Sequence, residues 1–499
     1  MAFTLNREQL PGSSRSVSIP YVVAVAAYAV LFSIWRAEPV PWNVHLAAIL
    51  VAATSFLPLA RWYARGSQGL PMFELISLSY ALQFSVPVYT QAHQVTIMSR
   101  AVPLRWATSF EVLLLVELGL LAMMAGYYLV RRSPLVQKLP RLDLPLVPRR
   151  RTLYLWMALL GSGLLTMLSM LNWEPLRSPT FGAVLRLVTS QFNVAIVLLA
   201  YDAYGKGKST LTVVGLYGAV FYAFLVGLTT GMLENALMPL VLALAVRWHA
   251  TRKLPWLAIL AGFVLFGVLN PAKFEYRRQV WYSGEEYGFD ERLSVWGEAL
   301  EGELEGRAQQ GTWQDTLRDA LARFDLVHRF TYVREMTPSF VPFYRGETYS
   351  YFLYAWVPRL LWPDKPTASM ANQQIDIDYQ LKYEWQDSTI SIGQLPEAYA
   401  NFGVAGIAVV MAFQGLVFAV LDGVLNGSRS EGGRAIYLVI MAAFLNGIGT
   451  SAAVLFGALV QQILASALIL RPFAYAFRSR GQEPTRETQS VSDSAVVLP

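Results

Sequence analysis

Apolar residues in this 499-residue chain fall in blocks near 20 long, separated by short polar or basic stretches. A helix rises about 1.5 Å per residue, so a block of that length crosses the roughly 30 Å hydrocarbon layer of a bilayer. The pattern predicts spans at 19–35, 43–60, 71–90, 109–130, 152–171, 183–202, 209–228, 232–248, 254–270, 403–425, 435–450 and 453–470. The stretch 71–90 carries Glu74, and the last two blocks are nearly continuous, close enough to form one broken helix pair. The fold class that follows is an all-α integral membrane protein with about 12 transmembrane helices, in a range of 10 to 13. Its parts are an N-terminal bundle of about nine spans over 1–270, a large loop over 271–402, C-terminal spans over 403–471 and a tail over 472–499.

Composition agrees: 55% of residues are hydrophobic and 15% charged, against about a quarter charged in a soluble chain. The net charge of +6 would point to nucleic acid if it were clustered, but it is not. With the N-terminus inside, the inner segments carry 22 Lys and Arg and the short outer loops only 4, which are Arg36, Arg100, Arg105 and Arg177. That is the asymmetry of a membrane topology. Both termini are expected in the cytoplasm, with an uncleaved first span after Arg7 and Arg15 and a disordered polar tail from about 478. The chain has no cysteine, which excludes disulfides and thiolate metal sites. Its four histidines, His45, His93, His249 and His328, lack the spacing of a catalytic zinc motif. No metal or other cofactor is expected.

The loop over 271–402 stands apart, with 13 cations and 20 acids. Parity of spans places it outside, which in a Gram-negative cell is the periplasm. Two of its segments are predicted to be structured. Residues 312–336 read as one amphipathic helix, with Thr312 and Asp315 at capping-box spacing and Met-Thr-Pro at 336–338 ending it. On such a helix Arg323 and Arg334 share one face, and Arg318 and Arg329 another. Residues 348–362 are too short to span and are broken by Pro358. They suit a segment lying at or dipping into the interface.

Arginine dominates the chemistry this loop offers. Arg277 and Arg278 lie just past the ninth span, and Arg345, Arg359 and Lys365 flank the interfacial segment. A guanidinium fork matches phosphate oxygens bidentately and stays charged at any relevant pH. For Arg318 and Arg323 the plainer reading is pairing with Asp315, Asp319 and Asp325. Asp364, Glu384, Asp387 and Glu397 are the carboxylates available to take a proton from a sugar hydroxyl. Glu397 follows Pro396 near a helix start, where a first-turn carboxylate complementing the dipole is an equal reading. Asp376-Ile-Asp378 has the form of a metal-binding triplet, a form common by chance in polar loops. Within the spans, Arg186 and Glu117 are positioned to pair inside the bundle.

The run HRFTYVREMTPSFVPFYRGETYSYFLYAWVPRLLWPDKP (328–366), followed by GQLPEAYANFGVAG (393–406), resembles the oligosaccharide repeat-unit polymerases, the O-antigen or Wzy-type polymerases. The matching positions are Arg329, Val341-Pro342-Phe343, Gly346, Tyr349, Pro358-Arg359, Trp362-Pro363-Asp364-Lys365-Pro366, Glu397 and Asn401-Phe402-Gly403. The turn before the large loop, TTGMLENALM (229–238), departs from the family pattern by having Glu234 and no Arg. The resemblance implies a GT-C-like membrane glycosyltransferase. It would join undecaprenyl-diphosphate-linked oligosaccharides into O-antigen, capsule or exopolysaccharide at the outer face of the bacterial inner membrane. A flippase and a chain-length regulator are implied partners, and nucleic acid is not. Arg359, Arg277, Arg278, Arg329 and Lys365 are then expected to hold the diphosphate. Glu397, or second Asp364, is expected to act as the base. An O-antigen ligase using His328 is the near alternative, and a polysaccharide transporter or lipid flippase the distant one.

Overall fold

A computed structural model describes residues 18–475, except 67–68, 99, 171–184, 186, 206–208, 284, 311–312, 356, 358–361, 363, 384–389, 427 and 429. Helices form at every predicted apolar block. The N-terminal part contains α1 (Ser18–Ile34), α2 (Trp42–Ala64), α3 (Met72–Tyr80), α4 (Pro87–Thr90), α5 (Trp106–Arg132), α6 (Pro134–Lys138), α7 (Pro148–Trp156) and α8 (Ser162–Met170). It continues through α9 (Gln191–Tyr204), α10 (Thr210–Thr229), α11 (Leu233–Thr251) and α12 (Trp256–Val280). The large loop holds α13 (Phe289–Gln310), α14 (Trp313–Ala322), α15 (Val327–Met336), α16 (Glu347–Ala355) and α17 (Met370–Asp378). The chain closes with α18 (Gln394–Leu421), α19 (Glu431–Gly447) and α20 (Ala452–Leu470).

Among the described residues, seven helices are long and apolar enough to cross a membrane: α2, α5, the helix ending in α9, α10, α12, α18 and α20. Large apolar side chains such as Leu121, Leu129, Val409, Phe413 and Leu468 stand exposed on their outward faces. Water would not tolerate such a belt, and lipid does. This is a multi-pass membrane protein. The other predicted spans are also helical but shorter or interrupted. Residues 72–90 and 148–170 are each divided by a π-helical turn, at Ala81–Ser85 and Met157–Gly161.

One local expectation needs correction. The helix over 312–336 is two helices, because the chain breaks at 323–326. There the Asp325 carboxylate accepts from the His328 backbone N–H (3.2 Å) and ring Nδ1 (2.8 Å), and so starts a new helix. Its Thr312 and the side chain of Asp315 lie outside the described residues. A short strand pair accompanies the helices: Gln94–Ile97 (β1) and Arg100–Pro103 (β2) pair antiparallel, with Val95 and Ile97 turned inward. Finally, the intramembrane Glu117 accepts from Thr54 (2.6 Å), while Arg186 lies outside the described residues.

The closest helix pair is α5 against α18. A Cβ at Gly126 would collide with the Ala412 carbonyl, and one at Gly415 with the Met123 carbonyl. Two glycines facing opposite backbones permit this approach, the usual device for packing helices in lipid. Gly415→Val should therefore lower stability by about 3 kcal/mol or abolish folding, read as the thermal midpoint in detergent, whereas Phe413→Val on the lipid-facing side should change it little.

Candidate functional site

The two motif segments of the outer loop, some fifty residues apart in sequence, interlock around one carboxylate. Glu397, in the first turn of α18, is completely buried. Its Oε1 accepts from the Thr348 hydroxyl (2.8 Å) and its Oε2 from the Ala452 backbone N–H (2.7 Å), the first amide of α20. Asn401, one turn on, donates to the Thr348 hydroxyl (2.8 Å) and to the Glu397 carbonyl (2.9 Å). Its side-chain oxygen accepts from Gly346 N–H (2.9 Å). Tyr349 stacks on Phe402, with centroids 6.0 Å apart. Gly346 and Gly403 sit at φ +98° and +64°, with Phe402 and Phe343 respectively packed where their side chains would be. At Gly403 the helix is kinked, which separates the turns that carry Glu397 and Asn401 from the rest of α18. A carboxylate at the start of α20 also complements the dipole of that helix. Glu397 thus joins α16, α18 and α20, and both its oxygens are engaged. Both bonds tie this carboxylate, the first candidate for the base, into the packing of three helices.

Cations converge nearby, where the loop folds over the outer end of α12. Arg277 donates through Nε to the Gly231 carbonyl (2.9 Å) and lies over the Trp281 ring at 4.3 Å. The α10–α11 turn it touches is fastened by Tyr276 to the Thr229 carbonyl (2.6 Å), Arg292 to the same carbonyl (3.3 Å) and Trp296 to the Leu228 carbonyl (2.6 Å). These donors satisfy the free carbonyls at a helix end. Arg323 enters from the break between α14 and α15, close enough to Lys273, Arg277 and Arg329 for their like charges to repel. Asp325 is bound to His328, and Glu234 is an opposite charge that acts on Arg323. The α10–α11 turn is therefore met by cations from α12 and from the loop.

Arg329 sits behind this group. It donates to the Ser391 carbonyl (2.8 Å), between Asp325 and Asp376, and burial pulls its pKa down. Asp376 is the residue that sequence reasoning undervalued. It is 0% exposed, and its Oδ2 accepts from Ile390 N–H (2.8 Å). Its Oδ1 has no partner among the described residues. Burial pushes its pKa up to about 7, against the opposing pull of the Ile390 N–H, Lys382 and Arg329. Asp378 points elsewhere and accepts from the Tyr344 hydroxyl (2.9 Å). Two residues apart on a helix means roughly 200° of rotation, so the triplet does not converge on an ion. No group of three or more metal-ligating side chains occurs among the described residues.

The remaining expected site residues are dispersed. Arg278 is exposed and paired with Glu275 (2.5 Å). Lys365 donates to the Tyr354 and Val357 carbonyls (3.1 and 2.6 Å) and so fastens the interfacial segment. Asp364 is exposed beside it. Arg359, Glu384 and Asp387 lie outside the described residues. His328 is 1% exposed, bound to Asp325, with its ring 5.2 Å from that of His93. His93 is stacked on Trp106, and burial together with His328 lowers its pKa to about 4.

A family described as a domain of unknown function, DUF8712, matches residues 163–478. The chain belongs to that family. The shared region contains the whole outer loop, the cation group and the Glu397 junction. No curated protein and no solved structure matches the chain.

Two outcomes follow. Glu397→Gln replaces one accepting oxygen with a donor, so it should lower stability by about 2–3 kcal/mol and reduce activity only in proportion to folded protein. A variant melting like the parent but inactive would make Glu397 catalytic. Asp376, with its pKa raised from 3.8 to about 7, binds more protons folded than unfolded across that interval. Its effect is therefore a stability that falls as pH rises from about 4 to 7, by at most roughly 1.4 kcal/mol per pH unit. Asp376→Asn should flatten that slope in thermal melts taken across the interval.

Proposed function

We propose that this protein is an oligosaccharide repeat-unit polymerase of the bacterial inner membrane, with about twelve spans of GT-C-like arrangement, both termini cytoplasmic and the loop over 271–402 outside. The observation that carries this reading is the convergence of Arg277, Arg323 and Arg329, with Lys273 beside them, where the loop meets the end of a membrane helix. A donor diphosphate at that place gains fixed positive charge as its bond to the anomeric carbon breaks and the electron pair departs with it. An acceptor sugar hydroxyl on a second lipid-linked unit attacks the same carbon and gives up its proton. Exposed Asp364 is our candidate to receive it. The energy resides in the diphosphate linkage, so the reading needs no nucleotide.

Arg323 replaces Arg278 and Lys365 in this account, because those two are engaged elsewhere. Arg359 stays in it on the strength of the PR.LWPdKP resemblance. The ligase alternative requires a histidine that meets substrate, and His328, buried and held by Asp325, is poorly placed for that. A flippase would keep its working charges in a central cavity and make the loop expendable.

Purified protein given undecaprenyl-diphosphate-linked repeats should produce a ladder of lengths. Arg323→Ala should reduce polymer at least about tenfold, the loss of one charge-assisted contact, while Arg278→Ala should stay near the parent. A deletion strain that still makes long chains, or a purified protein that makes none, would contradict the proposal.

A further inference from the structure

Lys273 plays no part in any motif, yet it is the most unusual charge in the molecule. It lies in the second half of α12, about one turn after the end of the apolar run, and is 2% exposed. Its ammonium donates to the Asn270 side-chain oxygen one turn back (3.0 Å) and lies 4.8 Å from the Phe274 ring centroid. Its charged neighbours are Arg277 and Arg323, both of its own sign. The nearest acid in sequence, Glu275, turns away to Arg278 (2.5 Å) and Gln279 (2.8 Å). Among the described residues no carboxylate stands within ion-pair distance of Lys273. A buried ammonium is normally paired, because one amide dipole compensates only part of the lost hydration. Cations inside a membrane bundle mark ligand sites for the same reason.

We infer that Lys273 is a binding residue for a phosphate-type anion, and that pyrophosphate oxygens supply the counter-charge the fold withholds. Lys273, Arg277 and Arg323 form the recognising set, with Asn270 orienting the ammonium. The chemistry fits a pyrophosphate group, whether on a lipid-linked glycan or free in solution. Only the choice of the lipid-linked form rests on the polymerase reading.

An unpaired buried charge that serves binding should cost stability until its ligand arrives, whereas a structural one should contribute stability. The test is the thermal midpoint of full-length protein in detergent, with inorganic pyrophosphate or with chloride at equal ionic strength. The parent should melt higher with pyrophosphate than with chloride. Lys273→Met should melt above the parent without pyrophosphate and lose the pyrophosphate-induced rise, and Lys273→Arg should keep part of that rise. A Lys273→Met protein that melts lower or fails to fold, a rise that survives in it, or a parent without any rise would each overturn the inference. Lipid-linked repeats separate the two proposals. If pyrophosphate binding depends on Lys273 but no polymer forms, the anion site stands and the polymerase reading falls. If Lys273→Met polymerises at the parent rate, the reverse holds.

Discussion

One buried carboxylate holds the outer half of this protein together. Glu397 accepts from Thr348 on one side and from the first amide of α20 on the other, so three helices from separate parts of the chain meet at two oxygens. In a water-poor interior such bonds are strong when complete and costly when broken. The kink at Gly403 lies six residues on, between the turns that carry Glu397 and Asn401 and the length of α18 that packs on α5 through Gly415. The segment leading into α18 is fixed as well, with Gly393 at φ +87° packed against Leu326. Arg329 is held against the Ser391 carbonyl of that same segment.

That frame decides where the charges go. The break between α14 and α15 is pinned by Asp325 to His328 and by Leu326 N–H to the Gln83 carbonyl (3.1 Å). Arg323 is thereby turned toward α12. On the membrane side, Tyr276, Arg277 and Trp296 fasten the α10–α11 turn against α12 and α13. An acidic loop thus delivers cations to one place while its surplus acids stay on exposed surface, as on α13 at Glu298 and Glu301. Local placement matters more here than net charge, because interactions between exposed charges fade beyond about 10 Å in salt.

Apolar block length sufficed to locate the helices, since a bilayer imposes the same length on every span. It did not reveal the π-turns at 81–85 and 157–161, which arise from a slip in backbone pairing that composition does not encode. The periodicity of 312–336 suggested one helix because Leu317, Leu321, Phe324 and Val327 keep near-helical spacing. Asp325, a residue whose side chain competes for backbone N–H groups, was the local sign of a break. In the site, Arg277 and Arg329 were legible as arginines in an unusual loop. Arg323 and Lys273 were not, because their placement beside Arg277 depends on long-range folding. Glu397 was legible as special, but its partners Thr348 and Ala452 are about fifty residues away on either side, beyond the reach of local pattern.

The proposed polymerase requires the folded loop and its cations to lie on the outer side of the membrane. The chain has no cysteine, so Glu301→Cys, on the exposed face of α13, would introduce its only thiol. A membrane-impermeant maleimide applied to intact cells should label that thiol without lysis, after permeabilisation of the outer membrane alone where there is one. Labelling that appears only when the inner membrane is broken would put the loop in the cytosol and contradict the account.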